Sequence, residues 1–577
     1  MGRQRRATQA CNQAALSITC LGDKQGAKGD RTMTEFFRAY KADKVPIPTY
    51  FIESTAPDNV DDTASLPPVR DHYLSPVNSD DAVREIAAVL AQGQNPNLVV
   101  MVHGFNNPEP DVLRMYTNAA KAIDADEAIR NQRGLVCMGY RWPSEKMGQP
   151  WRGTWDALPT LPTWILYVGA AFAVLPFLLF YLARHWPGGI SWVFLHPVFN
   201  HVATLGGLTF AGLVLTAAVL RIIVYFRDTY RATFFAVPDL VQIIRAIDSA
   251  IIDLRGNASP TNDVQLSFIG HSMGGFVVTN TIRVLSQVFE RKVEALNSYG
   301  AGSSAGDKPG PPSQNIGHVF TLKRFVLASP DIPAETLVTN RSNFMAAALS
   351  RFDEAYLFSN EGDEVLRQIS TLANYFVFPT KNRKYGFRLG NVEILSDKFG
   401  LLDVAEANFL RVLRIGTLTL QEIHERLESA RIARHPGAAP VPASLPQVFT
   451  YFDCTDYAEP IAHGKKMVGL LTFAKCLKRT NPEARLRWYS HLHLLGAYLV
   501  CHQKPNVHGG YFQGALSQQL IYRLACLGYE GTLKAYNGEG GLSQACKDKQ
   551  IRVLLSPQLA ALPRSPQRTT IEVVGSK

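Results

Sequence analysis

Val264-Gln265-Leu266-Ser267-Phe268-Ile269 runs directly into Gly270-His271-Ser272-Met273-Gly274-Gly275, and this junction decides the fold. Short apolar runs bounded by turn residues are the signature of strands buried on both faces of a parallel sheet. Small residues on both sides of Ser272 permit a tight strand-to-helix turn that lifts a serine hydroxyl out of the sheet. A strand is therefore expected over Val264–Ile269, a helix from Gly275, and a nucleophile at Ser272. A bare G-x-S-x-G pattern is common by chance, so the flanking strand and helix carry the inference.

Upstream, Leu98-Val99-Val100-Met101-Val102 is a second apolar run, and it ends in His103-Gly104-Phe105-Asn106-Asn107. Such a strand-end loop suits an oxyanion hole, whose backbone N–H groups must aim at the oxygen that becomes negative during attack. Phe105 and Met273 are the expected donors, and His103 is expected to shape the loop rather than to act as a base. Asp80–Gln92 is expected as an amphipathic helix, Asp111–Arg130 as the next helix, and Leu135–Tyr140 as a strand that exits through Tyr140-Arg141-Trp142-Pro143-Ser144. Downstream, a long helix is expected over Asp228–Leu254 and strands over Phe325–Ala328, Ala355–Ser359 and Val448–Phe452. Strands and helices alternating in this way indicate an α/β class, a mostly parallel sheet with helices on both faces.

Two segments interrupt that alternation. Leu161–Ala183 and Val198–Leu220 are each 23 residues long and contain no Asp, Glu, Lys or Arg, long enough to cross a hydrocarbon core as helices. They are expected to form a transmembrane hairpin, with a buried apolar hairpin or one dipping into a single leaflet as the alternatives. Trp164, Trp186 and Trp192 fall where interfacial anchors belong. Lys146 and Arg152 precede the hairpin and Arg221, Arg227 and Arg231 follow it, against Arg184 alone between the spans. The positive-inside rule then places the soluble parts on the cytoplasmic side of the inner membrane.

The 577 residues exceed one ordinary domain. The expected organisation is a polar tail over 1–44, a core in parts over 45–150, 227–373 and 446–577, the hairpin over 151–226, and an insertion or linker over 374–445. Hydrophobic residues make up 46% and charged residues 19%, which fits a mixed soluble and membrane architecture. The net charge of +10 suits an anionic membrane surface. No zinc-finger spacing, RNP-like run or P-loop points to nucleic acid. Eight cysteines without a C-x-x-C pair suit a reducing compartment. The apolar stretch near Leu16–Leu21 is too short and interrupted for a cleaved export signal. No H-x-x-x-H or H-E-x-x-H spacing occurs, so neither metal nor cofactor is expected.

The HGFNN, YRWPS, GHSMGG and ASPD segments together resemble a bacterial branch of the α/β-hydrolase superfamily of largely uncharacterised function, over about residues 45–373 and again from near 445. The resemblance implies the α/β-hydrolase fold and the order Ser…acid…His. On that order the acid belongs to the loop after Ala355–Ser359, where Asp363 matches the pattern and Glu361 is the alternative, while Asp331 is expected to be structural. The base is expected at His508, with His491, His493 and His502 as competitors. The implied chemistry is carboxylic ester hydrolysis through an acyl-enzyme, with an ester, acyl or lipid substrate. Acyl transfer to another acceptor, or a membrane-anchored interaction protein that keeps the fold without turnover, are the alternatives.

Overall fold

The computed structural model describes residues 36–59, 73–144, 222–256, 261–286, 314–334, 351–370, 388–394, 449–460, 467–473, 486–497 and 505–556. It adds the short pieces 181, 201, 206, 219, 349, 396, 398–402, 410–412, 418–419, 429, 433 and 559. Eleven strands form the path of the main sheet: β1 (Phe37–Ala42), β2 (Thr49–Ser54), β3 (Leu74–Val77), β4 (Asn97–Val102), β5 (Leu135–Arg141), β6 (Val264–His271), β7 (Phe320–Ala328), β8 (Glu354–Ser359), β9 (Gly400–Leu402), β10 (Thr450–Asp453) and β11 (Arg552–Leu554). Their order is β9-β11-β10-β8-β7-β6-β4-β5-β2-β1-β3, with a twelfth strand, Asn315–Ile316, beside β7. From β2 through β5, β4, β6, β7 and β8 to β10 every pairing is parallel. Antiparallel pairs lie at β1 with β2 and β3, at β10 with β11, and at the short Asn315–Ile316 strand beside β7.

Period-two alternation assigns the side chains to two cores. Along β4, Leu98, Val100 and Val102 face one layer while Val99 and Met101 face the other. The first layer holds α1 (Ser79–Gln92), α4 (Val237–Arg255) and α5 (Met273–Leu285). The second holds α2 (Glu109–Ala125), the single turn α3 (Glu127–Arg130), α7 (Ala515–Ala535) and α8 (Glu539–Asp548), while α6 (Trp488–Gly496) lies near the C-terminal strand ends. The chain is thus α/β with helices on both faces. The start of α1 is set by Asn78, whose side chain accepts the Asp80 N–H at 2.9 Å, with Asp80 and Asp81 favourably placed in the first turn.

Several boundaries differ from expectation. Phe37–Ala42 lies in the stretch expected to be an irregular tail, yet forms β1, tied to α1 by a Lys41–Glu85 ion pair of 2.6 Å. The expected 374–445 linker supplies β9, and its residues 388–391 pack beside the strand ends. Helix α5 begins at Met273, two residues earlier than expected. Ahead of α4, residues 232–236 take π-helical geometry. The two uncharged 23-residue segments lie outside the described residues apart from single positions. Among the described residues no helix is long and apolar enough to cross a membrane.

β4 leads sideways to β5 on one side, whereas β6 leads to β7 on the other. The strand order therefore reverses between β4 and β6, and crevices at such a reversal, outside the C-terminal strand ends, are where open α/β sheets bind ligands.

Candidate active site

Ser272 stands at that reversal, between β6 and α5, with φ 54° and ψ −123°. A non-glycine residue in this region is strained, and such strain survives only where the surroundings over-determine it. Here they do. A Cβ on Gly270 would come within 2.7 Å of Gly275 Cα, and one on Gly274 within 2.6 Å of the His103 carbonyl. Gly104 lies so close to Ser272 that a Cβ would meet Ser272 Cβ at 2.7 Å. The Ser272 hydroxyl is buried and has no hydrogen-bond partner.

His508 precedes the short 3₁₀ turn Gly510–Phe512 that leads into α7, and its Nδ1 sits 2.7 Å from Asp363 Oδ2. Asp363 is itself fully buried and fully engaged. Its Oδ1 accepts the Val365 and Leu366 N–H groups, both at 3.1 Å, and its Oδ2 also accepts the Ser329 hydroxyl at 2.6 Å. With Nδ1–H committed to the carboxylate, Nε2 is left as the basic atom, and it too is buried without a partner. Burial disfavours the charged imidazole, but the Asp363 charge and hydrogen bond outweigh it and raise the His508 pKa. The Ser272 hydroxyl and His508 Nε2 share no hydrogen bond in this structure, and such contacts commonly tighten only in the reacting complex.

Phe105 and Met273, the residues expected to supply oxyanion donors, lie next in the chain to Gly104 and Ser272, which approach each other closely. Met273 opens α5, so its N–H has no intrahelical acceptor, and no acceptor for the Phe105 N–H occurs among the described residues. His103 is held as a neutral structural group. The Trp142 N–H donates to its Nε2 at 3.2 Å, which leaves Nδ1–H to donate to the Gly104 carbonyl at 2.7 Å. Its ring stacks on Trp142, and burial lowers its pKa to about 3.

The competing residues are engaged elsewhere. Glu361 accepts the Leu486 N–H at 2.9 Å. His491 Nδ1 lies 2.5 Å from Glu364 Oε1, His493 is exposed beside Phe473, and His502 lies outside the described residues. Asp331 pairs with Arg388 at 2.9 Å, and its N–H donates to the Ser272 carbonyl at 3.0 Å.

Sequence reasoning passed over several groups. Ser329 has a left-handed φ of 46° and bridges Asp363 to the Tyr511 hydroxyl, 3.2 Å away. The Asn391 side chain braces the same turn by donating to the Asn360 and Asp363 carbonyls at 3.1 and 3.2 Å. His271 bonds the His508 carbonyl through Nε2 at 3.2 Å, with its pKa pushed down to about 3 by burial and by the neighbouring His508. Only Ser329 carried a sequence signal, the Ala328-Ser329-Pro330-Asp331 segment at a strand end.

Among the described residues no cluster of His, Cys, Asp or Glu side chains is placed to hold a metal ion. The constellation offers a hydroxyl, a carboxylate-backed imidazole and two backbone N–H groups with no acceptor among the described residues, a set suited to nucleophilic acyl chemistry. Compared with known proteins, the chain matches no family model, no curated protein and no solved structure.

Proposed function

We propose that this chain is a serine hydrolase of the α/β-hydrolase type that cleaves carboxylic esters. One observation carries the reading: a serine on a strained strand-to-helix turn follows His271, whose ring lies 4.9 Å from that of His508, itself paired with the buried Asp363 at 2.7 Å. In the proposed reaction Ser272 Oγ attacks the ester carbonyl carbon while its proton passes to His508 Nε2. Asp363 stabilises the imidazolium, and the Phe105 and Met273 N–H groups receive the developing oxyanion. His508 then protonates the departing alcohol, leaving an acyl-Ser272 ester. Water, deprotonated by His508, attacks that ester and releases the acid and the free serine.

The two uncharged segments follow the Trp142–Ser144 turn in the chain, the first beginning at Leu161, and that turn packs on the oxyanion loop. On that placement we propose that they associate the protein with the cytoplasmic membrane, its core on the cytoplasmic side, and that lipid or other acyl esters are the substrates.

The test is labelling of detergent-extracted protein with a fluorophosphonate probe, comparing the intact chain with Ser272→Ala. Labelling of the intact chain that disappears in the variant is expected. A folded intact chain that takes no label would overturn the hydrolase reading and favour a membrane-anchored interaction protein.

A further inference from the structure

We infer that Asp228 and Ser144 form a clamp that positions the oxyanion loop Gly104–Asn107, so that the two ends of the apolar insertion are built into the catalytic geometry. The inference rests on the serine hydrolase reading for its kinetic consequence, but its structural content stands apart from it.

Asp228 is fully buried, on the helical stretch 222–231 that resumes the described chain after the uncharged segments. Ser144, equally buried, ends the described chain before them. Its hydroxyl donates to Asp228 Oδ2 at 2.8 Å, and Arg231 holds the other carboxylate oxygen at 2.7 Å. Both then act on the loop. The Asn106 N–H donates to Asp228 Oδ2 at 3.0 Å, and the Asn107 N–H to the Ser144 hydroxyl oxygen at 3.3 Å.

These two bonds fix more than the atoms they join. Asn106 is held at a left-handed φ of 59°, which turns the chain sharply after Phe105. The turn lets the Asn107 side chain reach back and donate to the Gly104 and Phe105 carbonyls, both at 3.1 Å. The Gly104 carbonyl thus receives two donors, Asn107 Nδ2 and His103 Nδ1. Because the peptide is planar and trans, holding that carbonyl on Asn107 and His103 directs the Phe105 N–H the opposite way and so fixes where it can meet an oxyanion. Asp228 and Ser144 touch no reacting atom, and are positioning residues.

The test uses the full chain in detergent as Asp228→Asn and Ser144→Ala, with p-nitrophenyl butyrate as substrate. An oxyanion donor contributes mainly in the transition state, so kcat is expected to fall by about 10- to 100-fold with KM changed by less than about twofold. Hydrogen exchange of the 103–107 stretch is expected to accelerate in both variants while that of β4 stays unchanged. Unaltered exchange with unaltered kcat would overturn the clamp, as would a loss expressed only in KM. If Asp228→Asn does not fold, Ser144→Ala decides alone. If the wild type has no esterase activity, the hydrolase reading fails while the exchange measurement still decides whether the clamp orders the loop.

Discussion

In the proposed reaction the proton that Ser272 loses goes to His508, whose affinity for it is lowered by burial and raised mainly by Asp363. Asp363 raises the His508 pKa above the ordinary imidazole value of 6.5 despite burial. The neutral base therefore exists only above that raised value, so kcat/KM is expected to climb with pH through a limb above 6.5. A raised folded pKa also means that the pairing stabilises the fold fully below the unfolded pKa, and that this contribution is lost as pH rises through the folded one. Asp363→Asn removes the charge and the tautomer control together. Its pH-rate limb should move to lower pH and its plateau should fall by about 10⁴-fold, which steady-state kinetics across pH would measure; an unmoved limb would mean that another group sets it. The strain at Ser272 offers a second test. Ser272→Gly relieves a positive φ that Ser272→Ala retains, so chemical denaturation should find the glycine variant more stable by about 1 kcal/mol. At this scale Ser272 was legible as the candidate nucleophile because its glycine neighbours are adjacent in sequence. Asp363 and His508 needed the chain order that the resemblance implies. Ser329, His271 and Asp228 act through bonds between residues 34 to 237 positions apart, and no local pattern encodes those.

Between elements, the decisive joint is where β6 and α5 meet the end of β4. The backbones approach so closely there that Gly104 and Gly274 have no room for a side chain. Gly274→Ala would push α5 off the His103 carbonyl, at a cost of roughly 1–3 kcal/mol for overpacking. The expected outcome is a lower denaturant midpoint together with loss of Ser272 labelling, since the turn cannot shift without moving the hydroxyl. An unchanged midpoint would mean that the joint is looser than its geometry implies. The same closeness explains which elements the sequence announced. β4 and β6, buried on both faces, read as uninterrupted apolar runs. β1, Phe-Arg-Ala-Tyr-Lys-Ala, carries Arg38 and Lys41 because it lies toward the edge, so it resembled the polar tail. β9 is three residues long and finds its place by pairing with β11 and bonding Ser543 of α8, both more than a hundred positions away. Residues 388–391 were hidden for the same reason, although Arg388 reaches Asp331 and the Tyr225 hydroxyl beside the site.

For the whole molecule, the Ser144–Asp228 hydrogen bond bears on how the uncharged segments join the folded body. Ser144 and Asp228 are 84 positions apart in sequence yet share a hydrogen bond, so the chain leaves and re-enters the body at nearly the same point. From residue 228 back to 222 the chain is helical and covers only about 9 Å at the helical rise. A flexible linker of about eight residues, with a reach of roughly 3.3 Å each, spans that gap without strain. Replacing 146–220 by such a Gly/Ser linker should therefore leave sheet, clamp and site intact while removing both 23-residue uncharged segments. The shortened chain is expected to remain in the supernatant after membranes are sedimented and to label at Ser272 without detergent, whereas the intact chain should sediment and require extraction. If both chains stay in the supernatant, the segments are not a membrane anchor, and the buried apolar hairpin becomes the better account. If the shortened chain folds but takes no label, the segments contribute to the site itself rather than carry it to its substrate.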